Sequence, residues 1–285
     1  MAKLREATGP VTGKRRLIVH CGVQKTGSTS IQRYLMQNAE LLVEDLIIRT
    51  PTEGSPMRPL GRAAIDFSFH PDSKDSRQAL KIALDDVLDT LPADSRPVLL
   101  SHENLAGAMP GNGGETRLFP ALPLILAIIK EHVTAFDVDF VYYTRRMSTW
   151  RPSVWAQAIR TDGYTRTEKE FMAETSDLPG WNDLLTRVTA TIGADCVTRF
   201  KLEDEGDPLR SGHQLLRHIG LTDDKLDALQ PLQGRSMSRL NTTATEIIRQ
   251  INALNINPHA RRKVIDLIAH QQHLFNPDRR SEGTL

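Results

Sequence analysis

Short apolar runs alternate with longer amphipathic stretches along the first 220 residues of the chain. The apolar runs have the length and composition of buried strands and lie at 16–21, 45–49, 97–101, 138–144 and 196–200. The stretches between them carry apolar residues at helical spacing, near 29–43, 76–91, 117–134, 148–161, 181–192 and 209–219. Strands that alternate with helices predict an α/β fold in which helices flank a parallel central sheet.

The pattern changes near residue 240. Residues 240–256 and 259–274 predict two helices with no strand between them, joined at Asn257-Pro258. We therefore expect one domain over 15–285, of which 240–285 is a helical extension. Residues 1–14 are polar and partly basic and predict a disordered tail. Glycine and proline signals lead us to expect substrate-bordering loops at 51–75 and 106–116, beside the C-terminal helices.

Composition narrows the classes of function. The 285 residues carry a net charge of +1, which argues against a dedicated nucleic-acid binder. The longest apolar run, 121–129, is far shorter than the roughly 20 residues of a membrane span. The first residues, Met-Ala-Lys-Leu-Arg-Glu, lack the apolar segment of a secretory signal. Two cysteines, Cys21 and Cys196, fit buried reduced thiols, so we expect a cytoplasmic protein.

The most informative segment is 20–31, His-Cys-Gly-Val-Gln-Lys-Thr-Gly-Ser-Thr-Ser-Ile. It follows a predicted strand and opens a predicted helix, so its turn leaves N–H groups free at a helix N-terminus, where anions bind. Gly22 and Gly27 have the spacing of a Walker A motif, but Ser28 stands where that motif places its lysine. The lysine lies instead at position 25. The pattern therefore predicts a phosphate-binding loop that differs from an ATPase loop.

The run Lys25-Thr26-Gly27-Ser28-Thr29-Ser30 resembles the 5′-phosphosulfate loop of the sulfotransferase family, with Gln24 in place of the usual proline. That family uses 3′-phosphoadenosine-5′-phosphosulfate (PAPS) as sulfonate donor. The resemblance implies a P-loop-NTPase-like sulfotransferase fold of bacterial type. It also implies that residues 25–30 bind the donor and that Lys25 stabilises the leaving phosphate. No metal ion is expected, because positioning and charge stabilisation can carry in-line transfer.

A second phosphate site follows from the same resemblance. The predicted strand 138–144 runs into Arg145, and Ser153 lies eight residues later in the next predicted helix. In the family an arginine and a serine at this spacing bind the 3′-phosphate of the donor. An arginine suits this role because its guanidinium makes forked, charge-assisted contacts with phosphate. The usual Asp-Pro after the arginine is absent, and Arg146 is the alternative ligand if the register differs by one.

Candidates for the catalytic base follow the strand at 97–101. His102 and Glu103 lie at the carboxyl end of that strand, where ligands bind in open parallel sheets. Either could take the proton of an acceptor hydroxyl or amine, and the ordinary pKa of histidine favours His102. Successive strand residues face opposite sides, so we expect one of the two to face the donor. Glu53 is a third candidate.

Two other readings stay open at this point. The first is a nucleotide kinase or NTPase with a deviant P-loop, and the second is a nucleotide-binding relative without turnover. The acceptor, a carbohydrate or small molecule, is not readable from the sequence. Arg235-Ser236-Met237-Ser238 lies where many family members have an Arg-Lys-Gly loop over the donor nucleotide. His270 and His273 lack the accompanying carboxylates or cysteines of a metal site.

Overall fold

A five-stranded parallel sheet forms the centre of the computed structural model, which describes residues 13–234 and 240–275. Its strands are β1 Arg15–His20, β2 Ile47–Arg49, β3 Val98–Ser101, β4 Phe136–Thr144 and β5 Val197–Lys201, in the order β2-β3-β1-β4-β5. Each predicted strand is present, and every neighbouring pair is parallel. The predicted α/β class is therefore confirmed.

Helices cover both faces of the sheet. They are α1 Ser28–Gln37, α2 Ala39–Leu42, α3 Met57–Phe69, α4 Lys74–Leu88, α5 Leu122–His132, α6 Met147–Thr161, α7 Glu168–Glu174, α8 Trp181–Ile192, α9 His213–Ile219, α10 Asp223–Ala228, α11 Thr242–Asn252 and α12 Pro258–His270. Side chains of β1 alternate between the faces. Leu17 and Val19 join a core shared with α3, α4, α5 and α8, and Ile18 joins a core shared with α1, α9 and α10. Burial on both faces explains why the strands are continuous apolar runs.

The strand register places the carboxyl ends of β1 and β3 side by side at one edge of the sheet. His20, the last residue of β1, pairs with Ser101 at the end of β3 and with Val141 of β4. The segments that leave β1 and β3 therefore emerge side by side, and β4 continues to Thr144 before its own exit. This edge is where an open parallel sheet binds ligands.

The C-terminal part is helical, as the sequence predicts, and it packs beside the sheet rather than on it. Buried Ile248 of α11 and Ile265 of α12 meet Ile159 of α6 in a small third core. The tail predicted at 1–14 lies outside the described residues as far as residue 12. The proposed division into tail, domain and extension stays a prediction.

Helix α3 is the main departure from the sequence prediction. The expected loop at 51–75 is instead a short turn, a 13-residue helix and the start of α4. Leu60, Ala64 and Phe67 of α3 are fully buried against the sheet. Pro59 lies in the first turn, where proline is tolerated, but Gly61 disfavours a helix locally, so burial of this apolar face is what stabilises it. Two short helices, α7 and α10, were also not predicted.

Within the described residues, none of the helices has both the length and the apolar character needed to cross a membrane. Cys21 is buried as expected, whereas Cys196 is half-buried, and both are free thiols.

Candidate functional site

The loop between β1 and α1 depends on two glycines in the left-handed region. Gly22 has φ 87°, and a Cβ there would lie 2.9 Å from the Cα of Glu103. Gly27 is the N-cap of α1 with φ 92°, and a Cβ there would lie 2.9 Å from Leu202 Cδ1. The N-cap Gly27 offers α1 no side-chain cap, and a helix start of this kind commonly binds anions.

Gln24 holds the loop in place from two sides. Its Nε2 donates to the Gly107 carbonyl at 2.9 Å, and its own carbonyl accepts from Trp150 Nε1 at 2.9 Å. Trp150 is fully buried, so the loop is tied to a rigid part of α6. Gln24 thus restrains the loop by hydrogen bonds from both its side chain and its main chain.

A cleft of about 920 Å³ opens at this edge of the sheet. It brings together most of the residues that the sequence singles out: Lys25, Gly27, Ser28, Thr29, Ser30, Glu103, Arg145 and Ser153. They come from four separate segments, which converge because β1, β3 and β4 end at the same edge. These residues bring a helix N-terminus, two cations and a carboxylate into the cleft, and Arg62, Arg262, Asp66 and Asp162 also line it.

Lys25 reaches into the cleft toward α6. Its Nζ donates to Gln157 Oε1 at 3.2 Å. Ser153 and Gln157 are one helical turn apart on α6, and both line the cleft. The lysine therefore lies between the loop and the face of α6 that carries the predicted serine ligand.

Arg145, and not Arg146, lines the cleft. Its Nε donates to Thr149 Oγ1 at 3.1 Å. Arg146 is exposed, and its main-chain N–H donates to Glu203 Oε1 at 2.9 Å. The sequence alternative that Arg146 takes the place of Arg145 therefore has no support from this geometry.

Thr26 differs from the other loop residues. It is fully buried, it does not line the cleft, and its Oγ1 donates to the Val23 carbonyl at 2.7 Å. Its hydroxyl therefore stabilises the turn. A contact between Thr26 and a ligand stays a prediction, and the side chain as placed does not provide it.

His102 and Glu103 are placed differently. His102 is buried under α3, so close that a Cβ on Gly61 would lie 1.9 Å from its Nε2. Its Nδ1 accepts from the Asn104 N–H at 3.3 Å, which caps the short 3-10 turn Glu103–Ala106. Glu103 lines the cleft. The sequence preference for His102 as base is thus not supported by its placement, and the arrangement favours Glu103.

The Glu103 carboxylate is held by neighbours. Its Oε2 accepts from Gln32 Nε2 at 2.9 Å and lies 3.6 Å from His102 Nδ1. Burial alone raises the pKa of Glu103, but interactions with His102 and Gln32 outweigh burial and lower the pKa to about 2.

Two further candidates from the sequence lie elsewhere. Glu53 is exposed in the turn before α3 and does not line the cleft. Residues 235–238, considered as a nucleotide-covering segment, lie outside the described residues. Among the residues that are described, no group of three or more His, Cys, Asp and Glu side chains is arranged to hold a metal ion.

Sequence reasoning missed Asp162, the C-cap of α6. It lines the cleft, and burial raises the pKa of its carboxyl to about 6 in spite of a hydrogen bond from Thr161. Its Oδ2 is buried without a hydrogen-bond partner among the described residues. A single acidic residue at a helix end carries no sequence signal, because its burial depends on distant parts of the chain.

Comparisons with known proteins add little to this picture. No family model matches the chain, and no curated protein matches it by sequence. Among solved structures, the chain is similar to a sulfotransferase from Alicyclobacillus acidocaldarius, at 13% identity over 90% of this chain and 92% of that one, with a TM-score of 0.48. A likeness this distant carries no argument about function. The fold and cleft by themselves define an α/β protein with a glycine-rich turn at the start of α1.

Proposed function

We propose that the protein is a PAPS-dependent sulfotransferase, which transfers a sulfonate in line to a hydroxyl or amine of an acceptor. One observation carries the proposal: a single cleft is lined by Lys25, by the uncapped start of α1 and by Arg145 with Ser153. A donor with a 5′-phosphosulfate and a 3′-phosphate needs two anion-binding regions in one cleft, and the lined surface offers both.

Each group has a role that its chemistry suits. The N–H groups and hydroxyls of Ser28, Thr29 and Ser30 would bind phosphate oxygens. Lys25 would neutralise charge that develops on the leaving phosphate, which is the kind of electrostatic stabilisation that accelerates group transfer most. Arg145 and Ser153 would bind the 3′-phosphate. PAPS supplies a sulfonate that is already activated, so the protein has to position it and remove a proton from the acceptor.

Glu103 and Asp162 are two of the carboxylates that line the cleft, and either could act as the base. Glu103, with its low pKa, stays ionised and would accept a hydrogen bond from the acceptor hydroxyl and orient it. Asp162, with a pKa of about 6, is better matched to proton transfer near neutral pH. We propose that Glu103 orients the acceptor hydroxyl. Asp162 joins Glu103 as a candidate for the base.

Binding of the donor product tests the proposal directly. Adenosine 3′,5′-bisphosphate should raise the melting temperature of the protein, and ATP with magnesium should do so much less, because the lysine is not at the Walker position. Stronger stabilisation by ATP with magnesium would favour the kinase or NTPase alternative. Tight bisphosphate binding without sulfonate transfer to any acceptor in a broad screen would favour the non-catalytic relative.

A further inference from the structure

Two tryptophan side chains contact the main chain of both proposed anion-binding regions of the cleft. Trp150 Nε1 donates to the carbonyl of Gln24 at 2.9 Å, so it holds the peptide group that leads into Lys25. Trp181 Nε1 donates to the carbonyl of Arg145, the proposed ligand of the 3′-phosphate, at 2.6 Å. Neither indole lines the cleft, so both would act on a ligand only through the residues that they hold.

The two indoles also pack on each other. Their ring centroids are 4.9 Å apart and their planes make an angle of 74°, which is the edge-to-face geometry that aromatic pairs favour. Trp150 is fully buried, and Trp181 is half-buried against the same apolar core. We call Trp150 and Trp181 the indole pair. The pair forms a continuous path of contacts from the loop between β1 and α1 to the residue that follows β4.

The separation of the two regions matters for a ligand with two phosphates. Such a ligand gains most from its second contact when both regions are already held at the distance that its phosphates need. Main-chain hydrogen bonds connect the segments that follow β1 and β4 as far as Val23 and Tyr143. Gln24 and Arg145 lie just beyond these residues, and the indole pair connects them there.

We propose that Trp150 and Trp181 are positioning residues, which fix the separation of the two anion-binding regions and so favour a ligand with two phosphates over a monophosphate. The roles of those regions as donor sites rest on the proposed function, whereas the connection between them is argued from its own hydrogen bonds and ring packing. A donor held at both phosphates presents its sulfonate in one orientation, which in-line transfer requires. Loss of either indole N–H loosens one end of the connection.

The test compares adenosine 3′,5′-bisphosphate with adenosine 5′-monophosphate and adenosine 3′-monophosphate by calorimetric titration of the full chain. Trp181→Phe keeps an aromatic ring in the pair but removes its N–H group. It should lower affinity for the bisphosphate on the order of tenfold and affinity for each monophosphate much less, because preorganisation is lost. Trp155→Phe is the matched control and should change none of the affinities. Trp155 is the remaining tryptophan of the chain, it does not line the cleft, and its Nε1 donates to the Arg166 carbonyl at 3.0 Å.

A second substitution tests whether the two indoles act as one unit. Trp150→Phe should produce the same selective loss, and the variant with both substitutions should lose little more than either alone, because a connection broken at one end is not broken further. If Trp150→Phe does not fold, the comparison of Trp181→Phe with Trp155→Phe decides by itself. Equal losses for all three nucleotides, additive losses in the double variant, or an equal effect of Trp155→Phe would overturn the inference.

Binding of the bisphosphate to the unchanged protein is measured first and judges the proposed function separately. If the bisphosphate does not bind, the proposed function fails, and peptide-resolved hydrogen exchange still judges the connection. Amides of residues 22–27 should exchange several-fold faster in Trp181→Phe than in Trp155→Phe, although the hydrogen bond that is lost lies at Arg145. Equal exchange of this segment in the two variants would overturn the inference.

Discussion

Lys25 lies in the left-handed region with φ 66°, where a residue with a side chain is uncommon. The strained turn sends the lysine toward α6, where its Nζ meets Gln157. A lysine at the Walker position would lie within the first turn of α1. Position 25 thus places the cation beside α6 instead of at the start of α1. Strain of this kind is commonly found at functional turns.

Replacement of this lysine tests its proposed role. Lys25→Ala should lower turnover by a factor of about 10³, as loss of a transition-state contact does. Binding of adenosine 3′,5′-bisphosphate should weaken much less, because the loop amides and Arg145 remain. Steady-state kinetics and calorimetry measure the two effects. Lys169→Ala, on the exposed face of α7, is the control and should change neither.

The pH dependence of kcat/KM should distinguish Glu103 from Asp162. If Asp162 is the base, kcat/KM falls as the pH drops through about 6, because its carboxyl becomes protonated. Asp162→Asn should abolish that limb. Glu103, whose pKa is held at about 2, gives no inflection near neutrality, and Glu103→Gln should lower the rate at every pH. A limb at pH 6 that survives in the Asp162 variant would remove Asp162 from the proton transfer.

Asp162 should also lower the stability of the fold. Its folded-state pKa of about 6 lies above its ordinary value of 3.8, so the folded protein binds the proton more tightly. Stability from this group is therefore present below pH 4 and lost as the pH rises to 6. Asp162→Asn should raise stability at pH 8 by up to about 2 kcal/mol and have little effect at pH 4. Thermal unfolding at both pH values measures the difference.

At the scale of elements, α3 decides which residue after β3 faces the cleft. Helix α3 packs on His102 at Gly61, which has no side chain, and Glu103 is left to line the cleft. Residue alternation along β3 predicts that the two side chains diverge, but not which of them is covered. That choice depends on a helix formed against local propensity and stabilised by its buried apolar face.

A methyl group at Gly61 should disrupt this packing. The added Cβ would meet the imidazole of His102 at 1.9 Å, so Gly61→Ala should destabilise the protein by about 2 kcal/mol or more. Denaturant unfolding measures the effect. Gly180→Ala is the matched control, because no atom lies within 4 Å of its added Cβ and its φ of −73° suits alanine. If both variants were equally stable, the proposed packing of His102 under α3 would be wrong.

The sequence predicts those elements whose signal is local. All five strands were predicted because each is a short apolar run between turn signals. The glycine turn between β1 and α1 was predicted because its glycines and lysine are close in sequence. Helix α3 was not predicted, because it depends on burial of its apolar face in the core that it shares with the sheet. The raised pKa of Asp162 was not predicted either, because it depends on burial by distant segments of the chain. Which of His102 and Glu103 lines the cleft could not be predicted for the same reason.

At the scale of the whole molecule, the described residues form three apolar cores of unequal size. The two larger ones cover the faces of the sheet, and the third joins α6 to α11 and α12. The third core contains few buried side chains, so the C-terminal helices have less to hold them than the strands do. Their local opening should therefore require less free energy than opening of the sheet.

Hydrogen exchange measures this difference. Amides of β1, β3 and β4 should exchange slowest, near the rate of global unfolding, and amides of α11 and α12 should exchange substantially faster. Peptide-resolved exchange with mass spectrometry gives both rates in one experiment. Uniform protection across the sheet and these helices would contradict the division into large and small cores.

The cleft shares a wall with a second cavity, of about 590 Å³, that lies between the end of α6 and the first turns of α12. This arrangement has a consequence for how the protein can evolve. The groups proposed to bind the donor come from the segments that follow β1 and β4 and from the first half of α6, whereas α11 and α12 contribute one residue, Arg262, to the lining of the cleft. Selection, or a protein engineer, could therefore exchange the α11–α12 hairpin for another sequence and alter what is modified while the chemistry of modification stays intact. A chain built this way would diversify by its C-terminal helices.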